Sequence, residues 1–600
     1  MWYKTAGLSF YPDKSSLLHG TIRNIETMST LNFSSAKVLS ALLLTGLVAL
    51  LGCSQAHYRR AADNEVYRIV QGAEQKIFGY TNQFDINTRY SHRKPTEISA
   101  SEIIDDRQET SSRLLTLQEA LSLAVTNGQQ YQSRKEALYL VALELTGARH
   151  EFTPHFLDSS ATASYDRLAN GDQSAAVNSR FEFGQLLRTG GRISAGLANA
   201  VLYYYSGGGG RSAFTTFFAD FSQPILRGFG WKNPAVENLT QAERDVIYAV
   251  REFGFFQDQF AADIVADYFA LLRQKDVIRN RYTNYLGRVR STQRLMERAD
   301  RERPSDIGQT RQAELTAKNN YVNAVAQYHN SLDQFKITLG LPLGERVQLD
   351  DELLRELATT GLVPVEIDAD EAFRLAVNKQ LLILNAIDQF EDAKRRVLVA
   401  ADLLRPGLNL EGGATLSSDR VWDYTRFNTD QYQASVRATL DLPFDRHSER
   451  NNYRRFLITF EARLRELSVT FDDLKDRIER GLRTLNQRKE TYEIQTNALG
   501  VANTRVEAAV ANLEAGRAEI RELVEAQDAQ INAQNAVTQA IVEYQDARLE
   551  LMLQIGLLDS GVEKFWLRDH VGNQLQAAIV PRQTPVQNNE VVPPDKLFEN

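Results

Sequence analysis

Cysteine and proline are both scarce in this chain. Cys53 is the only cysteine among 600 residues, which excludes an intramolecular disulfide and a thiolate metal cluster within one chain. Only 14 prolines occur, and none lies within residues 235–303, 305–341 or 444–580. Because proline breaks helices, these stretches predict very long helices, and at 1.5 Å per residue the first could extend for about 100 Å.

The sequence also lacks a basic excess and a catalytic constellation. Its 69 Lys and Arg residues are outnumbered by 77 Asp and Glu residues, which argues against a nucleic-acid partner. His150 and His155 are separated by Pro154 and cannot share one helical face as zinc ligands do. The glycine run 207–210 lacks the lysine of a phosphate-binding loop. We therefore expect no enzyme activity, no metal and no cofactor.

The N-terminal region has the pattern of a secretory signal. Lys37 precedes a short apolar run that ends at Cys53, too short for a comfortable transmembrane helix. The segment Leu50-Leu51-Gly52-Cys53 resembles a bacterial lipobox, and this resemblance implies cleavage before Cys53 and acylation of that cysteine. Residues 1–52 then form the signal region, with Met28 as the true start, and residues 53–113 form a lipidated tether. A lone buried cysteine is the alternative.

The remaining chain reads as two copies of one unit. Glu119 and Pro154 recur as Glu371 and Pro406, each at an offset of 252 residues. In both copies the proline ends a helical pattern and opens an alternating one. We predict repeats at 114–343 and 366–565, followed by a polar tail at 566–600.

Alternating apolar and polar residues predict strands at about 155–227 and 407–443. In the second segment, for example, Tyr432, Ala434 and Val436 interleave with polar residues, so the two kinds of side chain project from opposite faces. A soluble sandwich has such faces, and so does a membrane barrel with a water-filled lumen.

Three segments resemble the TolC-like outer-membrane efflux proteins, and the likeness covers about 114–565. They are Phe221–Gly228, Leu332–Pro342 and Ala515–Gln527. The resemblance implies a mainly α fold with membrane β structure: a homotrimer whose shared β-barrel continues into a long α-helical periplasmic tunnel. It also implies two partners, a periplasmic adapter protein and an inner-membrane pump of the RND, MFS or ABC type, besides the outer-membrane lipids.

The resemblance further assigns roles to residues at the helix turns. It implies a periplasmic gate in which acidic residues ring the pore and favour cations. The pore-lining candidates are Glu522 and Glu525 in the second repeat, with Gln309 and Gln312 at the equivalent places of the first. The turn and adapter contact would involve Gly516, Arg517 and Asp306.

The two copies differ in the length of their strand segments. The surplus of the first copy contains a possible extra hairpin at about 180–206, with a turn at Thr189–Gly191. If the hairpin joined the barrel, each chain would supply six strands. We expect it to fold outside, which keeps the twelve strands per trimer that the family has.

These observations favour one function over its rival. We expect the outer-membrane channel of a tripartite efflux or type I secretion system, a passive exit duct for substrates that a pump delivers. The alternative is a lipid-anchored periplasmic coiled-coil scaffold without channel activity.

Overall fold

The computed structural model describes residues 55–568, except residues 82, 109, 168–172, 205–211, 298–302, 419, 421–423, 425 and 516. The chain divides into two compact units, residues 1–64 and 65–600. The described part of the first unit, residues 55–64, is helical. The second unit contains all of the strands and long helices discussed below.

Eleven α-helices are described, and two hairpins of very long helices dominate them. The first hairpin is formed by residues Pro234–Glu297 and Pro304–Thr338, and the second by residues His447–Glu514 and Ile520–Ile555. The helices are α1 (Gln55–Phe78), α2 (Ala100–Gln108), α3 (Leu117–Asn127), α4 (Gln129–His150), α5 (Pro234–Glu297), α6 (Pro304–Thr338), α7 (Glu352–Thr360), α8 (Ala369–Lys379), α9 (Leu381–Asp402), α10 (His447–Glu514) and α11 (Ile520–Ile555). None of these described helices combines the length and the hydrophobicity needed to cross a membrane.

The described strands form two sheets. A small parallel sheet pairs β1 (Ser112–Leu115) with β6 (Arg346–Leu349). The large sheet is antiparallel and has the order β2-β3-β4-β5-β7-β8. Its strands are β2 (His155–Arg167), β3 (Gln173–Leu186), β4 (Arg192–Tyr204), β5 (Ser212–Pro224), β7 (Gly407–Ser418) and β8 (Tyr432–Asp441).

The order of the large sheet corrects our expectation for the extra hairpin. Strands β3 and β4 do not fold outside; they lie between β2 and β5. Their ladder is continuous from Ser174 opposite Tyr204 to Leu186 opposite Arg192. The physical reason is that both strands carry the same two-residue alternation as their neighbours, so they can extend the sheet without changing either face. One chain therefore contributes six strands to the large sheet.

In the two halves of the chain, the helices that precede the first strand of the large sheet have the same lengths. Helices α3 and α8 each have 11 residues, and α4 and α9 each have 22. The offset of 252 holds at both ends of each pair and again from the start of β2 to the start of β7. Thr116 caps α3 through a capping box with Glu119, and Asp368 caps α8. The predicted duplication requires this agreement in lengths and offset.

The segment that we expected to be a tether is folded over much of its length. Val66 and Val70 of α1 are fully buried. The Tyr67 ring lies 6.2 Å from that of Tyr139 on α4. Further along, Arg107 donates to the backbone oxygen of Gly340 at 3.0 Å. From residue 65 onward, the predicted tether therefore consists of short elements that pack within the second unit.

The main hydrophobic core lies around the middle of α5. Ile264, Val265, Tyr268 and Phe269 are all fully buried there. The Tyr268 hydroxyl donates to the backbone oxygen of Leu115 at 2.8 Å, which joins α5 to the small parallel sheet. Burial of such side chains contributes about 1.5–3 kcal/mol each, so this region anchors the long helix that leads to the tips.

A network of ion pairs joins the two halves where α5 packs on α9. Asp392 is 3 % exposed and accepts from the Tyr248 hydroxyl at 2.6 Å and from Arg395 at 2.8 Å, and it also pairs with Arg244. Arg395 donates to Glu237 at 2.6 Å. Burial and the bond to the Asp392 carboxylate raise the pKa of Tyr248 well above its ordinary value, so the phenol stays protonated and donates.

Substituting Asp392→Ala tests this network. Removing one member of a buried ion pair leaves the other charges uncompensated, and we expect a loss of about 3–5 kcal/mol in the free energy of unfolding. Thermal unfolding of the purified protein measures it. The neighbouring substitution Glu391→Ala removes only an exposed pair with Lys394 and should change stability by less than about 1 kcal/mol. Equal melting temperatures for the two variants would contradict the role of Asp392.

Candidate functional site

The large sheet has one apolar and one polar face. The row that runs across all six strands on the apolar face is Ser159, Phe181, Leu197, Phe217, Leu416 and Tyr432. Phe181 is 46 % exposed and Tyr432 68 %. The segment between β7 and β8 covers part of this face, where the Phe427 ring lies 6.4 Å from that of Phe217. The large apolar side chains that stay exposed on the face need an apolar partner such as lipid or another protein surface.

The polar face carries charged residues on several strands. Arg180 is central to this group: it donates to Glu182 at 2.7 Å, lies 3.9 Å from Asp158, and stacks over the Phe218 ring at 4.4 Å. On the last two strands Glu411 lies opposite Arg437. Both signs are therefore present on this face, which suits contact with water and ions.

A short polar row interrupts the apolar face. Asn199 donates to the Ser179 hydroxyl at 3.0 Å and accepts from the Thr215 hydroxyl at 2.7 Å. All three side chains are buried. Buried polar groups cost free energy unless they find partners, and here these three residues of neighbouring strands bond to one another.

The two helix hairpins are linked near their tips by Arg288. This side chain of α5 is 2 % exposed, and it donates to the backbone oxygen of Val524 at 2.9 Å and to Asp528 at 2.7 Å. Both partners lie on α11, close to its start at Ile520. Sequence reasoning missed this pair because its members are 240 residues apart.

The acidic gate candidates lie on the exposed surface at the start of α11. Glu522 and Glu525 are both exposed. Glu525 lies 4.0 Å from Arg505 on α10 and 3.9 Å from Arg521. At such distances exposed ion pairs contribute little. The two carboxylates are three residues apart and share a helix face, so they can act together on a solute that passes this side of the tip.

The other predicted tip residues have few contacts within the chain. Gln309 and Gln312 are exposed on α6, and Arg517 is exposed between α10 and α11. Asp306 is half-buried, and Ser305 donates to its carboxylate at 3.2 Å. Gly516 and Cys53 lie outside the described residues. The tip surface is therefore available for contacts beyond this chain.

Three acidic residues, Asp263, Asp267 and Asp546, lie where α5 meets α11; Asp546 is half-buried and the other two are exposed at the surface of the chain. Asp263 and Asp546 line a cavity of about 440 Å³ between α5, α10 and α11. Burial raises the pKa of all three carboxyls, that of Asp546 to about 7, with a further contribution from Glu543. Among the described residues no group of three or more His, Cys, Asp or Glu side chains is placed to hold a metal ion. The raised pKa values therefore reflect helix packing.

Comparison with known structures supports the fold described above. The chain resembles CusC, with a TM-score of 0.55 at 9 % identity over 73 % of this chain and 92 % of that one. It resembles the CmeC outer membrane channel of Campylobacter jejuni, with a TM-score of 0.54 at 15 % identity over 83 % and 95 %. It also resembles the outer membrane protein VceC of Vibrio cholerae, with a TM-score of 0.54 at 12 % identity over 73 % and 96 %.

These similarities confirm the TolC-like fold that the sequence predicted. No family model matches the chain, and no curated protein matches it. The similarity therefore lies in the arrangement of helices and strands and not in a closely related sequence.

The substitution Asp528→Ala tests the link between the helix hairpins. It removes a hydrogen bond between charged groups and leaves buried Arg288 with a backbone oxygen as its partner. We therefore expect the free energy of local unfolding at the start of α11 to fall by about 1.5–3 kcal/mol. Amide hydrogen exchange at the start of α11 should accelerate accordingly. Glu519→Ala is the control, since Glu519 makes no side-chain cap to α11. Unchanged exchange in Asp528→Ala would show that the pair does not hold the tip.

Proposed function

We propose that this protein is the outer-membrane channel of a tripartite efflux or type I secretion system. In this proposal it is a passive exit duct, and substrates reach it from an inner-membrane pump through a periplasmic adapter. One observation carries the proposal: a sheet with an apolar and a polar face stands at one end of two very long helix hairpins. The sheet suits a membrane, and the hairpins suit a tunnel that spans an aqueous compartment.

The surfaces left uncovered support a homotrimer. Only five residues of α10 are buried, although the helix has 68 residues. Ile458, Leu464, Val469, Ile494 and Val501, spread along its length, are each at least 50 % exposed. A helix with exposed apolar residues over several turns needs another surface to cover them. Neighbouring copies of the same chain supply that surface if the helices form the wall of a shared tunnel.

The apolar sheet face favours a channel over the periplasmic scaffold. A scaffold in water would cover this face with another layer of its own chain or expose polar residues there. Instead, Phe181, Val436 and Leu440 are all at least 40 % exposed on it. Contact with lipid supplies the missing apolar environment, while the charged residues of the opposite face line a water-filled lumen.

The proposal includes an anchor and an orientation. Acylation of Cys53 after cleavage at the lipobox would attach the chain to the outer membrane, with the helices in the periplasm. The helix tips, with Arg517 and Asp306 among their exposed or half-exposed residues, would contact the adapter. Glu522 and Glu525 would form the cation-attracting gate, because like charges around a narrow mouth attract cations and exclude anions.

Planar-bilayer recordings and gel mobility test the channel itself. The purified full-length protein should run as a heat-modifiable trimer from outer-membrane fractions, and it should conduct ions across a planar bilayer. Both results follow if the six-stranded sheets of several copies enclose a water-filled lumen. A protein that stays monomeric and never conducts would support the scaffold instead.

The double substitution Glu522→Gln with Glu525→Gln tests the gate. Removing two carboxylates per chain from a narrow mouth should lower the cation-over-anion permeability ratio several-fold, because ring charge sets ion selectivity in pores. Reversal potentials under a salt gradient measure that ratio. Glu466→Gln is the matched control, since Glu466 lies far from the tip on α10 and pairs with Arg463. If both variants keep the wild-type ratio, these glutamates do not face the pore.

A further inference from the structure

We propose that three copies of this chain close a barrel of eighteen strands, six from each copy, in which β2 of one copy pairs with β8 of the next. This inference rests on the proposed trimeric channel and adds the width of its exit. The barrel is then wider than one built from four strands per chain, and it forms a broad vestibule above the narrower helix tips.

The hairpin β3–β4 is an integral part of the sheet. Strand β2 pairs with β3, and β5 pairs with β4 and β7, while β2 and β5 are not neighbours in the sheet. Moving the hairpin out of the membrane would therefore break both ladders that it makes in the sheet and require β2 and β5 to pair with each other instead. Unpaired backbone groups cost several kcal/mol each in lipid, and the observed order pairs all of these strands without such a rearrangement, which supports a place for the hairpin in the barrel wall.

The side chains of the hairpin continue both faces of the sheet. Val177 and Phe181 on β3 share the apolar face with Leu197 on β4. Asn178 and Arg180 lie on the opposite, polar face. A segment outside the membrane has no reason to keep large apolar residues in register on one side and polar residues on the other. The alternation is the one that a wall between lipid and water requires.

The two edges of the sheet are suited to pair between copies. Strand β2 leads away from the helices and β8 leads back to them, so β2 of one copy beside β8 of another gives an antiparallel ladder. Both edges have apolar residues on the same face, Ala161 and Ala163 on β2 and Ala434 and Val436 on β8. Because the number of strands is even, the same pairing repeats from copy to copy until the barrel closes.

The strand count sets the width. Barrel diameter grows roughly linearly with strand number, so eighteen strands enclose a barrel about 1.5 times as wide as twelve, in the range where an aqueous channel stays open. The lumen therefore admits bulkier water-soluble solutes from the outside than a twelve-stranded exit would. Selection by size is left to the helix tips.

A deletion of residues 173–204 tests the width. It removes β3 and β4 and joins β2 to β5 in the correct directions through residues 168–172 and 205–211, which leaves four strands per chain. Both forms carry Thr216→Cys on the polar face of β5, and purified trimers react with polyethylene-glycol maleimides of graded size. The unsubstituted chain, in which Cys53 is the only cysteine, serves as the control for background labelling.

We expect the largest reactive polymer to be smaller for the deletion form, with a cut-off diameter about two-thirds that of the full chain. An equal cut-off in two conducting trimers would overturn the eighteen-stranded barrel and leave the proposed channel standing. Absence of trimers or of conductance in the full chain would overturn the channel itself.

If the deletion form does not fold, a second measurement on the full chain tests the same proposal. Val177→Cys and Asn178→Cys, made separately in the full chain, place thiols on opposite faces of β3. In membranes, a water-soluble maleimide should label Asn178→Cys at least several-fold faster than Val177→Cys, as it should for the matched β5 pair Thr216→Cys and Phe217→Cys. Equal, rapid labelling at 177 and 178, with alternation kept on β5, would place the hairpin outside the membrane and overturn the proposal.

Discussion

The need to pair the backbone groups along the two edge strands of the large sheet is the main physical constraint on this structure. Among the described strands of one chain, β2 and β8 each have a neighbour on one side only. In water such edges can bond to solvent, but in a membrane they must find another strand. If the sheet lies in a membrane, as we propose, its edges therefore pair with strands of further copies of the chain. The exposed apolar residues along α10 point to the same need at the level of the helices.

Joining the two halves rigidly is the second requirement, because the sheet and the helix tips lie at opposite ends of helices that exceed 60 residues. The buried network around Asp392 fastens α5 to α9 near the sheet. Arg288 fastens α5 to α11 near the tips. Between them lies the apolar core around Tyr268. Polar contacts thus fix how α5 aligns with its neighbouring helices at both ends, and burial of apolar side chains supplies most of the stability in between.

Much of the fold follows from local patterns. The proline-free stretches became α5, α6, α10 and α11, and the alternating segments became strands within a few residues of the predicted bounds. The position of β3 and β4 in the sheet could not be predicted from local patterns. Alternation tells which side chains share a face, but it carries no information about which strand lies next to which. The family pattern suggested four strands, and the sheet order shows six.

The sequence by itself determined the periodicities: long helices without proline, strands with two distinct faces, and two halves related by an offset of 252 residues. Chain geometry sets these periods locally, so they can be read from neighbouring residues. Only the tertiary structure decided the partners. It placed the extra hairpin inside the sheet, Tyr248 against Asp392, and Arg288 against Asp528. The two side-chain contacts join residues more than 100 positions apart, and the place of the hairpin depends on which strands pair; neither can be read from neighbouring residues.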